Sequence, residues 1–305
     1  MHAESGWIDG ISAGKFDFFE KLAEILAAKG VNCGVIPANS PLSRFLSHDT
    51  NVHLMAGEFR EVGERIFHVM PSYIWGFWYV DPAGVHNNAS LGSLPFNPEM
   101  IDAAAAKYFF DGVSGHMLRE NISKFPQPVR GDMRDAGAVI YLQQVESFNR
   151  PSHYLTSEEM ISTVSQTLSK ERVYVKPHPK TDTARLSEIA KFVGKFKNAE
   201  VSNASIHDLT AASRVVVTQY SAAGFEALMQ KKPVITCGKA DYRHATVTAI
   251  YEDELAELLL RSPTKLQDFP YEKYLYWFLH LNCFEPQSEG FEDQIWKKLK
   301  NGLNR

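Results

Sequence analysis

Cysteine is scarce: Cys33, Cys237 and Cys283 are the only three in 305 residues, an odd number without metal-ligand spacing. That excludes a disulfide scaffold and reads as buried free thiols in a reducing compartment. No apolar run approaches the roughly 18 residues that span a bilayer. The opening Met1-His2-Ala3-Glu4-Ser5-Gly6-Trp7 lacks the basic start and apolar stretch of a secretory leader. A cytoplasmic protein is expected. Excess positive charge is missing too, with 32 Lys and Arg against 36 Asp and Glu. A general polyanion binder would carry a strongly basic domain, so no nucleic-acid partner is expected. There is no Walker loop, no G-x-G-x-x-G fingerprint, no zinc motif and no D-x-D pair to hold a divalent ion beside a diphosphate. A metal-independent reaction without a resident cofactor is the expectation.

What is present is ordinary globular composition, 44% hydrophobic and 22% charged, in a length that suits two domains. Phe16, Phe19, Ala23 and Leu26 recur at helical spacing up to Gly30, and Val31 to Ile36 alternates like a strand. Trp75 to Pro98 is rich in Gly, Pro, Asn and Ser and reads as a long irregular, functional loop. From residue 138 to 261 four strand-then-helix units follow, with strands at 138–142, 173–175, 215–218 and 233–237. That alternation is the grammar of a parallel sheet covered by helices. Tyr271, Tyr274, Leu275, Phe278 and Leu279 make one bulky helical face, and Phe291, Ile295, Leu299 and Leu303 another. The expected layout is α/β: a Rossmann-like domain over 1–130, a second over 131–268, and helices over 269–305 returning to the first. Two such domains place their strand ends around a central cleft.

Three constellations fall at expected strand ends of the second domain. Gln143-Gln144-Val145-Glu146 follows the first strand, and a carboxylate there serves as nucleophile, base or charge stabiliser, or is simply a solvated loop acid. Lys176-Pro177-His178-Pro179 presents an imidazole held by two prolines beside Lys176 and Lys180, an environment suited to a phosphate leaving group. Thr218-Gln219-Tyr220-Ser221-Ala222-Ala223-Gly224-Phe225-Glu226 hands a strand to a helix whose first amides favour an anion. Ser221 either caps that helix or bonds a phosphate oxygen. Glu226 lies too deep for capping; in such folds an acid at this position can reach a ribose hydroxyl.

Taken together these stretches resemble the bacterial capsule polysaccharide biosynthesis family, which includes the β-Kdo transferases. Gln144-Val145-Glu146 is similar to its Q-V-E segment, Val173–Pro179 to its K-P-H-P strand end, and SAAGFEALMQKKPVITCG over 221–238 to its donor-domain segment. Gly84-Val85-His86-Asn87-Asn88-Ala89-Ser90 and Ser93-Leu94-Pro95 are similar to its G-V-N…S…S-L-P loop. Ser147-Phe148 stand where members carry further aspartates, and Ile74-Trp75-Gly76-Phe77-Trp78 departs from the family pattern. The resemblance implies the two-domain GT-B fold and a glycosyltransferase moving a sugar, Kdo from CMP-Kdo with retention, to a glycan or lipid-linked acceptor. It implies Glu146 and His178 as catalytic residues. On the donor side it implies Gln144, Lys176, Pro179, Tyr220, Ser221, Ala222, Gly224 and Glu226. On the sugar or acceptor side it implies His86, Asn87, Asn88 and Ser90, with no metal ligand. A UDP- or GDP-sugar transferase and a non-catalytic nucleotide- or glycan-binding capsule-assembly protein are the alternatives. The patch Trp75-Phe77-Trp78-Tyr79 either touches a lipid-linked acceptor, with peripheral association at the inner membrane face, or is a buried core face.

Overall fold

The computed structural model of the chain describes residues 1–47, 49–57, 59, 61–144 and 152–303. Two compact units result, Met1–Leu94 with Phe278–Arg305, and Pro95–Trp277. The divisions therefore fall after residues 94 and 277, where the sequence reading set them at 130 and 268. One reason is the helix Ala103–Arg119, which packs on Tyr271–Leu275 inside the second unit. Phe96 lies against Tyr274 and Trp277, and Lys273 Nζ donates to Pro98 O at 2.8 Å. Of the two C-terminal helical faces, only Phe291–Leu303 belongs wholly to the first unit.

The first unit holds strands β1 (His2–Ala3), β2 (Ile36–Pro37), β3 (His53–Ala56), β4 (Ile66–Pro71) and β5 (Trp78–Asp81), in the order β2-β1-β3-β4-β5. All pairings are parallel except β4 with β5. The expected strand over Val31–Ile36 is thus only Ile36–Pro37, because β1 offers just two residues to pair with. The expected loop over 75–98 contains β5; Phe77 just before it and its own Trp78 and Tyr79 are buried, while Trp75 stays exposed. Phe18 stacks on Trp78 (4.8 Å between centroids), and Phe291, Ile295 and Leu299 close the same core. Lys29 Nζ meets Glu292 Oε1 at 2.7 Å, tying the last helix to Asp17–Ala28.

The second unit carries β6 (Ala136–Tyr141), β7 (Val173–Lys176), β8 (Ala199–Val201), β9 (Ser213–Thr218), β10 (Val234–Thr236) and β11 (Val247–Thr248). The order is β11-β10-β9-β6-β7-β8, every pairing parallel. Counted from β6 as first, this is the Rossmann order 3-2-1-4-5-6 read from the other edge. Val139, Ile140, Val173, Val175, Val215 to Val217, Val234 and Ile235 are fully buried, as continuous apolar strands covered on both faces must be. Local signals set the helix starts. Thr156 and Glu159 form a capping box ahead of Ser157–Thr167, and Asp182 accepts from Arg185 N (2.8 Å) ahead of Thr183–Val193. No helix among the described residues is long and apolar enough to cross a membrane.

Candidate functional site

In the Rossmann arrangement the strand order reverses between the first and fourth strands, here β6 and β9, and ligands of such sheets bind beyond the strand ends at that point. Tyr141 pairs with Lys176 on one side and Thr218 on the other, so β7 and β9 leave the sheet at the same register. Two strand spacings, about 10 Å, separate them. Thr218 Oγ1 donates to Tyr141 O at 2.8 Å and locks the switch point. The segments carrying His178 and Ser221 thus emerge on one edge.

His178 is half-buried beyond β7. The Lys180 backbone amide donates to its Nδ1 at 3.2 Å, so Nδ1 is the bare nitrogen and Nε2 carries the ring proton. Phe125 meets the imidazole edge-on (centroids 5.1 Å, 85°), and Lys180 Nζ lies 5.8 Å over the Phe125 ring. Burial, then the Lys180 and Lys124 ammonium groups, hold the His178 pKa below the ordinary histidine value. At neutral pH it is a neutral imidazole offering one fixed N–H among cations, which can stabilise a departing phosphate without first losing a proton.

The turn at Ser221 is more self-contained than the sequence implied. Ser221 Oγ accepts from Ala223 N at 3.3 Å, which makes it an N-cap. The Ser221 amide bonds Thr218 Oγ1 (3.3 Å), and the Gly224 and Phe225 amides bond Ser221 O (3.0 and 3.3 Å). Most donors of this turn are thereby engaged within it. Gly224 is required by packing: a Cβ there would stand 2.7 Å from Thr218 Cγ2 and 2.8 Å from Tyr242 Oη.

Glu226, on the six-residue helix Ala222–Ala227, is buried and reaches toward a segment from far upstream. Its Oε1 accepts from Ser123 Oγ at 2.9 Å, while Oε2 is buried without a hydrogen-bond partner among the described residues. Desolvation pushes its pKa up to about 8, against the weaker opposing effects of Ser123 and Lys124. The segment 121–127 is pinned along its length. Asn121 Oδ1 accepts from Ser205 Oγ (2.6 Å), Ile122 O lies 2.8 Å from His207 Nε2, and Gln127 Oε1 accepts from the Ile206 amide (3.0 Å). Ser123, Lys124 and Phe125 went unread in the sequence. The only signals were Pro126 and Pro128, which mark an extended stretch after a helix.

The remaining candidates are placed as follows. Lys176 Nζ donates to Ala204 O (2.7 Å) and Asn203 O (3.2 Å), so two carbonyls hold its ammonium, and burial lowers its pKa. Tyr220 Oη lies 2.9 Å from His153 Nε2. Gln144 and Pro179 are exposed and Ala222 is half-buried. Glu146 lies outside the described residues. His86, Asn87, Asn88 and Ser90 sit in the first unit on a loop organised by Asp81, a residue the sequence did not flag. Its carboxylate accepts from the Ala83, Gly84 and Ser90 amides (2.8, 3.2 and 3.0 Å) and from Ser90 Oγ (2.7 Å). His86 takes a left-handed backbone (φ 51°), with its ring 5.1 Å from Tyr73. Gly10–Gly14 spells G-x-S-x-G, but Ser12 ends the helix Ser5–Ser12 and does not sit on the strand-to-helix turn that a nucleophile elbow requires.

A cavity of about 490 Å³ opens in the second unit beside His153 and Leu155, walled by Glu159, Glu252 and Asp253. Its three carboxylates give this cavity an acidic wall that disfavours a phosphate.

Residues 142–268 match the family described as capsule polysaccharide biosynthesis protein. No curated protein matches the sequence. Among solved structures, the chain is similar to the β-Kdo 2,7-transferase of Thermosulfurimonas dismutans KpsC, at 19% identity and a TM-score of 0.52, over 86% of this chain and 89% of that one. It is also similar to the KpsC β-Kdo 2,4-transferase of that organism (16% identity, TM-score 0.46, 75% and 83% covered). A third similarity is to the UDP-GlcNAc 2-epimerase of Methanocaldococcus jannaschii (13% identity, TM-score 0.38, 91% and 87% covered). Over residues 142–268 the chain resembles the capsule polysaccharide biosynthesis family, and its fold is the α/β, two-domain GT-B fold of a β-Kdo transferase.

Proposed function

We propose that the chain is a glycosyltransferase of capsule or surface-polysaccharide assembly. It transfers a sugar from a nucleotide donor, Kdo from CMP-Kdo with retention, to a glycan or lipid-linked acceptor. The observation that carries this reading is the neutral His178 imidazole, Nε2–H fixed by the Lys180 amide, at the strand-end level of the switch point. As the anomeric C–O bond to the donor phosphate breaks, its electron pair moves onto the phosphate oxygen. A hydrogen bond from Nε2–H strengthens as that charge grows. Glu226, protonated below its raised pKa, supplies a buried carboxyl for a ribose hydroxyl. Glu146 is assigned to the anomeric side. The acceptor hydroxyl replaces CMP on the sugar and its proton is released.

The test is CMP release from CMP-Kdo in the presence of a capsular glycolipid acceptor. His178→Ala should lower kcat by about 10²–10³, the usual loss for one transition-state donor, with the melting temperature unchanged. Near-normal turnover would remove the leaving-group role. Transfer should survive EDTA. Thermal-shift titration with CMP, UDP and GDP separates the CMP donor from the UDP and GDP alternatives, and nucleotide binding without turnover would identify a non-catalytic binding protein.

A further inference from the structure

We infer that Lys124, presented by the segment 121–127, is the cation that grips the donor's phosphate beside His178, the position the sequence had given to Lys176. This rests on the donor-site reading above and adds a residue to it.

The flanking contacts locate it. Ser123 on one side of Lys124 bonds Glu226 Oε1 at 2.9 Å, and Phe125 on the other packs edge-on against the His178 ring at 5.1 Å. Lys124 therefore stands between the two groups of the second unit assigned to the nucleotide. The backbone that carries it is held from Asn121 to Gln127 by bonds to Ser205, His207 and Ile206. A preorganised cation costs less ordering entropy on binding than a free surface lysine. Its electrostatic reach is visible on both neighbours: it lowers the pKa of His178 and opposes the rise at Glu226.

The Lys176 ammonium donates to the carbonyls of Asn203 and Ala204. The turn at Ser221 is likewise engaged with itself. The Phe125 ring packs against His178, and the charges of Lys180 and Lys124 act on it. Two ammonium groups and a neutral N–H suit an anionic group such as one phosphate.

The experiment follows the His178 ring C–H resonance by NMR in the wild-type protein, Lys124→Gln and Lys124→Arg, titrated with pH, CMP, cytidine and inorganic phosphate. In Lys124→Gln the His178 pKa should rise, and CMP and phosphate should bind about tenfold more weakly, the loss of one charge-assisted contact. Cytidine, lacking the phosphate, should bind as in wild type, and Lys124→Arg should restore CMP binding. Equal CMP or phosphate affinity in wild type and Lys124→Gln overturns the assignment, as does a His178 titration that does not move. If wild type binds phosphate at His178 but not CMP, the donor reading fails and Lys124 is judged on phosphate alone. If it binds neither, both fail.

Discussion

Ser123 Oγ donates a 2.9 Å hydrogen bond to Glu226 Oε1 across 103 positions of sequence. That contact joins the segment after a long helix to the helix after β9, and it makes Glu226 a buried carboxyl rather than a surface one.

Glu226 gives the clearest pH signature. Its pKa rises from 4.5 to about 8 on folding, so between those values the folded chain holds a proton that the unfolded chain has released. Folding stability from this group is full below the unfolded pKa and is lost as pH rises toward 8. Glu226→Gln should remove that loss. Urea melts at pH 5 and pH 8 should show the variant gaining on wild type by about 1 kcal/mol or more at the higher pH; parallel behaviour of the two would contradict the burial.

His178 titrates the other way. Its folded pKa lies below the ordinary 6.5, chiefly through burial, so the working imidazole is neutral. Turnover should be flat from pH 7 to 8 and fall as pH drops below 6, where the ring gains a second proton and repels Lys124 and Lys180. A rate that climbs on acidification would make the cationic ring the working form instead.

The segment 121–127 continues into Arg130 and Gly131, both of which bond Asp208. Asp208→Asn keeps the shape but weakens the ion pair and should cost about 1–3 kcal/mol of stability. Nucleotide affinity should fall with it as the segment loosens. Unchanged hydrogen–deuterium exchange over 119–131 would show that the anchor lies elsewhere.

In the first unit, His2 Nδ1 lies 2.7 Å from Ser43 Oγ and His2 Nε2 lies 2.9 Å from His53 Nδ1, with His53 Nε2 3.1 Å from Asp49. Burial, then the terminal ammonium and His53, lower the His2 pKa to about 4. Unfolded His2 takes up a proton near 6.5 that the folded ring refuses, so stability should drop from pH 6.5 to 4. His2→Gln should flatten that slope in urea melts by pH; a slope equal to wild type would place the sensitivity in other groups.

Much of the second unit was legible because its strands are unbroken apolar runs between recognisable caps. Val173–Lys176 and Ser213–Thr218 need no tertiary knowledge, and Thr156 with Glu159 announces its helix. His178 was legible for a similar reason: the prolines beside it forbid helix or ladder continuation. What escaped was non-local. β5 reads as loop because Gly76, Pro82 and Gly84 punctuate it, and its partners are β4 and Phe284. The helix Ala103–Arg119 buries Ala106, Phe110, Ser114 and Met117, a face too small and polar to stand out as a stripe. No sequence pattern reports that Ser123 meets Glu226, since that closeness is made by the sheet between them.

The most direct measurement is a crystal structure of the chain with CMP bound. The expected result places the phosphate within hydrogen-bond distance of His178 Nε2 with the ribose toward Glu226. CMP bound in the carboxylate-walled cavity beside His153, with the His178 ring facing solvent, would contradict it.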